Sequence, residues 1–390
     1  MLARLFLWGS LWLWGSGLGH LLAVPLPLSD TATISLLTCG PGSETYALFG
    51  HSALRIADPL RNLDRVYNYG TFDFDTPHFY WRFLRGDLRY FLSATSFQAF
   101  QRAYQQENRA LSEQVLALHP GEVQRLYDRL EATRHSPARF YQYQFFADNC
   151  TTRLFELVRT SAAVPLRLDS AHVPSSRTFR QLLAPYLAPA PWLNLGINLG
   201  LGWPADQPTT FRQRLFLPTE LQQAFARADR QQRPFVVRTR QLLVVRPHLL
   251  EQEQPWWTPT LFFSGLGILM LMAQCLPARY ALIGRGIRRA LFVGVGLTGC
   301  VLLGLTLFSL HTPVQLNYQL LWLLPTHVGL AFAHPNLRWR RYATVSLALL
   351  ALGGLFGWGV YYAQLLPAVG LLLALLLLQL LLFKRQAPTS

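Results

Sequence analysis

Beyond Glu253 the chain contains no acidic residue, and it is written there as a series of long apolar runs. These runs are Pro259–Leu276, Ala290–Leu310, Leu316–Ala333, Tyr342–Tyr362 and Leu366–Phe383. Each is close to the roughly 20 residues that an α-helix needs to cross a bilayer. Residues 257–390 are therefore expected to form an all-α, five-span transmembrane bundle. The charges between the runs set its orientation. Arg279, Arg285, Arg288 and Arg289 lie between the first and second runs. Arg338, Arg340 and Arg341 lie between the third and fourth, and Lys384 and Arg385 follow the fifth. The connections around His311–Gln315 and Ala363–Leu365 carry no basic residue. All nine positive charges fall on one side, which the positive-inside rule makes cytoplasmic. Whatever precedes the first span is then outside, with Trp256 and Trp257 at the outer membrane–water boundary.

The opposite end of the chain agrees. Met1–Arg4 is short and positive, Leu5–Leu22 is apolar, and small residues follow at Gly17–Ala23. This is the layout of a secretory signal peptide, assigned to residues 1–23. Residues 24–256 read as a soluble, extracytoplasmic domain. The formal net charge of +15 is misleading about partners. Nine of the 35 basic residues lie after residue 256 and Arg4 lies in the leader, so residues 24–256 carry 25 basic against 20 acidic residues. With no basic run or face, nucleic acid is not an expected partner. The membrane is.

Within the domain, Ala53–Ile56 and Arg65–Tyr69 read as strands joined by a turn at Asp58–Asn62. Phe97–Leu111, Pro120–Thr133 and Thr151–Arg159 read as helices. Phe140–Phe146 reads as a strand or a helix lead-in. Pro185–Pro208, rich in Pro, Gly, Trp and Asn, reads as irregular, membrane-proximal chain.

Two short stretches carry the chemistry. In Asp148-Asn149-Cys150-Thr151-Thr152-Arg153 an Asx residue can cap a helix, which puts Cys150 in its first turn. There the helix dipole and unpaired backbone N–H groups lower a thiol pKa, and the same groups can hold an oxyanion. In Gly50-His51-Ser52-Ala53-Leu54-Arg55-Ile56, His51 follows a glycine on a strand and is the expected proton acceptor for the thiol. Cys275 and Cys300 sit in apolar runs as packing residues, and Cys39 reads as a buried small residue.

The order histidine strand, polar residue on the next strand, Asn-Cys helix start resembles the circularly permuted papain-like cysteine superfamily, to which lecithin:retinol acyltransferase belongs. More specifically, residues 31–230 resemble the extracytoplasmic domain of the Lnb-type lipoprotein N-acyltransferases. The matching stretches are Leu37–Gly42, Phe49–Arg55, Tyr67–Phe74, Phe145–Arg153 and Phe216–Pro218; His311, Asn317 and Pro325 in the five-span part also fit. The resemblance implies an α+β, circularly permuted papain-like domain on the five-helix bundle, in the bacterial cytoplasmic (inner) membrane with its N-terminal domain in the periplasm. It implies Cys150 as nucleophile and His51 as base. Asn68, on the strand after His51, is the first candidate for the orienting residue, and Asp73 the second.

For substrate binding the candidates are Arg55, Tyr67, Tyr69, Arg153, His311 and Asn317, with Phe72 beside the tyrosines in an acyl groove. Arg153 has an alternative as an ion-pair partner of an acid such as Glu156. The implied reaction moves an acyl chain from a phospholipid, through a thioester, to the amine of a lipoprotein N-terminal cysteine, with no cofactor or metal. An extracytoplasmic cysteine hydrolase acting on cell-envelope substrates, and a non-enzymatic module that binds a membrane partner, are the alternatives.

Overall fold

The computed structural model of the chain describes residues 27–169, 177–246, 257–361 and 367–385. The signal peptide assigned to residues 1–23 and the boundary marker Trp256 lie outside the described residues.

The N-terminal part is built on a seven-stranded antiparallel sheet in the order β6-β4-β3-β2-β1-β5-β9. Its strands are β1 (Thr33–Cys39), β2 (His51–Asp58), β3 (Leu63–Thr71), β4 (Arg89–Ser96), β5 (Leu111–Leu116), β6 (Phe140–Gln142) and β9 (Val236–Leu243); a two-residue ribbon, β7 (Asp229–Arg230) with β8 (Arg233–Pro234), precedes the last. The expected pair of strands is present and longer than expected. Its turn uses Asp58, which accepts the Leu60 N–H, and Asn62, which tolerates a φ of +50°. The helix expected over Phe97–Leu111 ends early. Ser96 caps α2 (Phe97–Gln106), Asn108 turns the chain with φ of +51°, and β5 follows.

Both faces of the sheet are covered, which is why β1 is buried at nearly every position. On one face Ile34, Leu36, Leu54, Ile56 and Tyr67 pack against α3 (Pro120–Arg134) and α4 (Cys150–Ser161). On the other, Leu37, Cys39, Ala53 and Val66 pack against Phe100 of α2. The short α1 (Phe79–Arg85) joins β3 to β4. The stretch expected to be irregular is instead largely helical: α5 (Phe179–Leu187) and α6 (Pro191–Gly200) fall within or across it, followed by α7 (Phe211–Arg214) and α8 (Pro218–Arg227). The composition misled because Pro191 sits in the first turn of α6, where its missing N–H costs nothing. Pro185 does lie inside α5.

The helical part comprises α9 (Pro259–Cys275), α10 (Ala281–Phe308), α11 (His327–Phe332), α12 (Leu337–Tyr361) and α13 (Pro367–Arg385). Among the described residues α10 and α13 are long and apolar enough to cross a membrane, and α9 is a shorter apolar helix. The third expected span is corrected. Leu316–Ala333 is not one helix but a broken segment that becomes helical only at α11. Irregular backbone at membrane depth is tolerated only where protein surrounds it. Here Gln319, Trp322, Leu323 and His327 are buried, and glycines let the neighbouring helix come close. A Cβ at Gly299 of α10 would lie 2.1 Å from the Leu323 carbonyl oxygen, and one at Gly296 would lie 2.6 Å from the Val328 nitrogen.

The basic residues gather at one end. Arg285, Arg288 and Arg385 line one cleft, and the Arg340 side chain donates to the Lys384 carbonyl. The broken segment begins at the other end, where it is fastened to the sheet domain. Asn317 Nδ2 donates to the carbonyls of Leu199 (2.8 Å) and Gly200 (3.1 Å) at the end of α6. The Gly202 N–H donates to the Pro313 carbonyl, and the Trp203 N–H to that of Leu316. Leu195 and Leu199 of α6 pack into the same core as Met270, Phe292 and Leu330.

Beneath this joint lies a buried ion pair. Arg180 Nε is 2.7 Å from Asp206 Oδ1, its other nitrogens donate to Asn198 and to the Leu201 carbonyl, and Tyr318 OH donates to Asp206. Removing one member of such a pair strands the other charge, at a cost of about 3–5 kcal/mol. Arg180→Leu should therefore lower the unfolding midpoint of the purified protein by several degrees. The double substitution Arg180→Leu with Asp206→Leu should restore much of the loss; equal loss in the two would show that the pair is not the cause.

Candidate active site

Three elements bring the catalytic candidates together. The first is the start of α4. Asn149 is its N-cap: Oδ1 accepts the N–H groups of Thr151 (3.0 Å) and Thr152 (2.9 Å), and the Thr152 hydroxyl accepts the Asn149 N–H in return. The same side chain donates through Nδ2 to the carbonyls of Phe145 (3.0 Å) and Phe216 (2.7 Å). The loop ahead of it is locked by Arg153, paired with Asp148 at 2.6 and 2.7 Å and stacked 3.6 Å over the Tyr141 ring. Cys150 is thus held, buried, at the first position of the helix.

The second element is the start of β2. Gly50, with φ of +78°, turns the chain so tightly that a Cβ there would stand 2.6 Å from the Cys39 carbonyl oxygen. Only glycine fits, and His51 follows as the first residue of the strand. The third is the end of β3. Its register against β4 slips between Asn68 and Thr71, and Gly70 within the slip has φ of +90°. Bulges of this kind re-aim side chains beside active sites. A Cβ at Gly70 would lie in ordinary contact 3.6 Å from Cys150 Cβ, so the backbone angle and not a lack of space calls for glycine here, and the contact places this bend directly beside the nucleophile.

The three then meet. His51 and Cys150 face each other closely enough to shift each other's ionisation, and His51 Nε2 lies 3.3 Å from Asn68 Oδ1. With Nε2 donating to Asn68, Nδ1 is the ring nitrogen left to take the thiol proton. Burial opposes ionisation of Cys150, but the charge and hydrogen bond of His51, the Ser52 N–H and the Thr151 hydroxyl outweigh it and bring the thiol down to about 7. Burial likewise opposes the imidazolium of His51, yet its pKa is raised, by the facing Cys150 thiolate and by the Asn68 contact. Each group favours the charged form of the other, the arrangement that makes a cysteine nucleophilic.

By contrast Cys39 lies opposite His51 in the β1–β2 register, and burial pushes its thiol up to about 12. Both cysteines are free. Thiolate alkylation measures this difference. The rate at Cys150 should rise with pH through a midpoint near 7. In His51→Ala the midpoint should move upward, because the largest stabiliser of the thiolate is gone while burial remains. An unmoved midpoint would separate His51 from the thiol.

Other candidate residues are placed differently. Arg55 is held by Asp64 (2.7 and 2.8 Å) and Glu113 (3.0 Å) and lies 3.5 Å over the Phe97 ring, so its guanidinium is already engaged by the sheet. Tyr67 is fully buried in the core, with its hydroxyl on Glu131. Tyr69 is buried edge-to-face against Tyr141. Arg153 pairs with Asp148 rather than Glu156, which serves Arg159 and Arg212 instead. Asp73 stays in its own turn, where it accepts the Asp75 N–H, so Asn68 is the residue that meets His51. Asn317 belongs to the joint described above, and His311 bonds to the Phe83 carbonyl of α1 at 3.0 Å. Thr151 and Thr152 N–H are taken by Asn149, which leaves the Cys150 N–H as the first-turn donor for an oxyanion.

Sequence reading did not find Gly70 or the Asn149 anchor to Phe216. Gly70 carried a signal as a glycine inside a strand, between Tyr69 and Thr71; both ends of the anchor lie in the matching stretches, but nothing in either marks the other, 67 residues away, as its partner. Among the described residues no cluster of His, Cys, Asp and Glu is arranged to hold a metal.

Residues 28–184 match the family model of the Lnb N-terminal periplasmic domain, and residues 251–386 match that of the Lnb transmembrane domain. No curated protein and no solved structure matches the chain.

Proposed function

Since the chain belongs to the Lnb-type family, a family of membrane-associated, lipoprotein-modifying enzymes, we propose that it is a cysteine acyltransferase of the bacterial inner membrane. In this reading residues 24–256 form a periplasmic, permuted papain-like domain, and residues 257–390 form a five-pass anchor whose third pass is the broken segment. The observation that carries the reading is that Cys150 at the start of α4 faces His51, whose Nε2 lies 3.3 Å from Asn68 Oδ1, on a domain fastened to the end of the helical part away from the basic residues.

The Cys150 thiolate attacks an ester carbonyl of a membrane phospholipid, and the Cys150 N–H holds the oxyanion. Collapse of the adduct breaks the ester C–O bond. The departing alkoxide takes the proton from His51, which releases a lysophospholipid and leaves the acyl chain as a thioester. An amine then attacks the thioester, most simply the N-terminal cysteine of a diacylglyceryl lipoprotein. His51 takes a proton from it, the amide forms, and the thiolate leaves. Arg153 acts through the loop it locks, and His311 through α1. Helices that keep both lipid substrates in the bilayer favour transfer over hydrolysis, since neither substrate has to be extracted.

Incubation with phospholipid and no acceptor should add the mass of one acyl chain to Cys150, and hydroxylamine should remove it. Addition of a diacylglyceryl lipopeptide should move that mass to its N-terminus. Free fatty acid as the sole product would replace this reading with the hydrolase.

A further inference from the structure

The chain between β3 and β4 exposes more aromatic surface than a soluble domain needs. Phe74, Tyr80, Trp81, Phe83 and Leu84 are 58, 79, 60, 40 and 51% exposed. Helix α1, Phe-Tyr-Trp-Arg-Phe-Leu-Arg, has no polar face apart from its arginines, whereas a helix on a solvated surface turns a polar face outward. Aromatic rings with arginine are the composition of the membrane–water interface.

The position of α1 fits. Its last carbonyls are held from the end of α10: Phe83 by His311 Nε2 (3.0 Å), Leu84 by Ser309 Oγ (3.1 Å) and Arg85 by the Leu310 N–H (2.7 Å). Exposed Leu307, Phe308 and Leu310 continue the apolar surface of α10 up to that junction. The lipid-facing wall of α10 and the aromatic surface of α1 are therefore continuous.

From α1 a row of rings runs inward. Phe79 lies 5.7 Å from Phe72, Phe72 lies 5.4 Å from Tyr90, and Tyr90 stacks on Tyr143 at 4.5 Å. The row ends beside the nucleophile, since Tyr143 Cε2 and Cys150 Cβ lie 3.7 and 3.6 Å from where a Cβ at Gly70 would stand. We propose that α1 lies in the headgroup layer of the outer leaflet of the bilayer, and that the Phe79–Phe72–Tyr90–Tyr143 row is the wall along which a lipid acyl chain reaches Cys150. The docking half stands by itself. The second half rests on the acyl-transfer reading.

Photo-crosslinking of the full-length protein in phospholipid vesicles tests the docking. Benzoylphenylalanine in place of Tyr80 should give phospholipid adducts. The same group in place of Leu60, exposed in the turn at the far end of β2 and β3, should give at least tenfold fewer. Equal adducts at the two positions, or none at residue 80, would overturn it. For the wall, Phe72→Asp should cut transfer from vesicle phospholipid at least tenfold, with acylation of Cys150 by a water-soluble short-chain acyl thioester falling much less. An equal fall for both donors would mean that Phe72 only supports the site, and unchanged transfer from vesicles would also refute the wall. Activity in Cys150→Ala would sink the acyl-transfer reading alone, leaving the crosslinking result to decide the docking.

Discussion

Cys150→Ala should abolish measurable acyl transfer, and His51→Ala should reduce it by about a thousandfold or more, the scale found when one member of a nucleophile–base unit is removed. The two cannot act separately. Without His51 the buried thiol stays protonated at neutral pH, because the charge and hydrogen bond that hold it down to about 7 are gone. Without Cys150 the imidazole has no proton to take. The double variant should consequently lose little more than Cys150→Ala alone, a non-additivity that marks residues working as one unit. Asn68→Ala should cost less, about ten- to a hundredfold, since Asn68 holds the ring orientation and the tautomer without touching substrate. Transfer rates for the three single variants and the double variant make the comparison. Full activity in Cys150→Ala would remove the whole site assignment.

Asn149→Ala should be the most damaging change among residues that never meet the substrate. Four hydrogen bonds with backbone groups converge on that buried side chain, two accepted from the first turn of α4 and two donated to the Phe145 and Phe216 carbonyls. Loss of the cap costs about 1 kcal/mol, and a stranded carbonyl about 1–3 kcal/mol more, so a total of about 2–4 kcal/mol is expected. The activity loss should exceed what stability explains, because a shift of about 1 Å in a reacting group is enough for roughly a hundredfold. Asn149→Asp separates the two roles. The carboxylate still caps the helix, but it can no longer donate to the carbonyls, and it places a negative charge beside the Cys150 thiolate. Its alkylation midpoint should move above that of the wild type, whereas a purely structural role for Asn149 would leave the midpoint in place. Thermal unfolding and alkylation of the same samples decide between these outcomes.

Much of this was legible in the order of residues because it is local. A capping Asn ahead of a Cys, a glycine ahead of a strand His, and a hairpin turn at Asp58–Asn62 are each decided by interactions within a few residues. The separation of basic residues to one end of the bundle was legible for a related reason: helices that alternate direction return every second connection to the same side. The start of α4 and the histidine strand were thus placed correctly, and residues 28–184 and 251–386 match the two family models accordingly. What the order of residues did not decide were the roles that depend on partners far along the chain. Arg55 and Tyr67 looked like binding residues until Glu113 and Glu131, 58 and 64 residues away, were placed against them. Asn317 became a joint because α6, more than a hundred residues earlier, ends beneath it. Leu316–Ala333 is apolar enough for a continuous helix. It is broken in the fold, and its irregular backbone lies so close to α10 that only glycine fits at Gly296 and Gly299. Hydropathy records how much apolar surface must be buried, and burial alone does not distinguish a helix from a broken chain whose polar groups are satisfied by its neighbours.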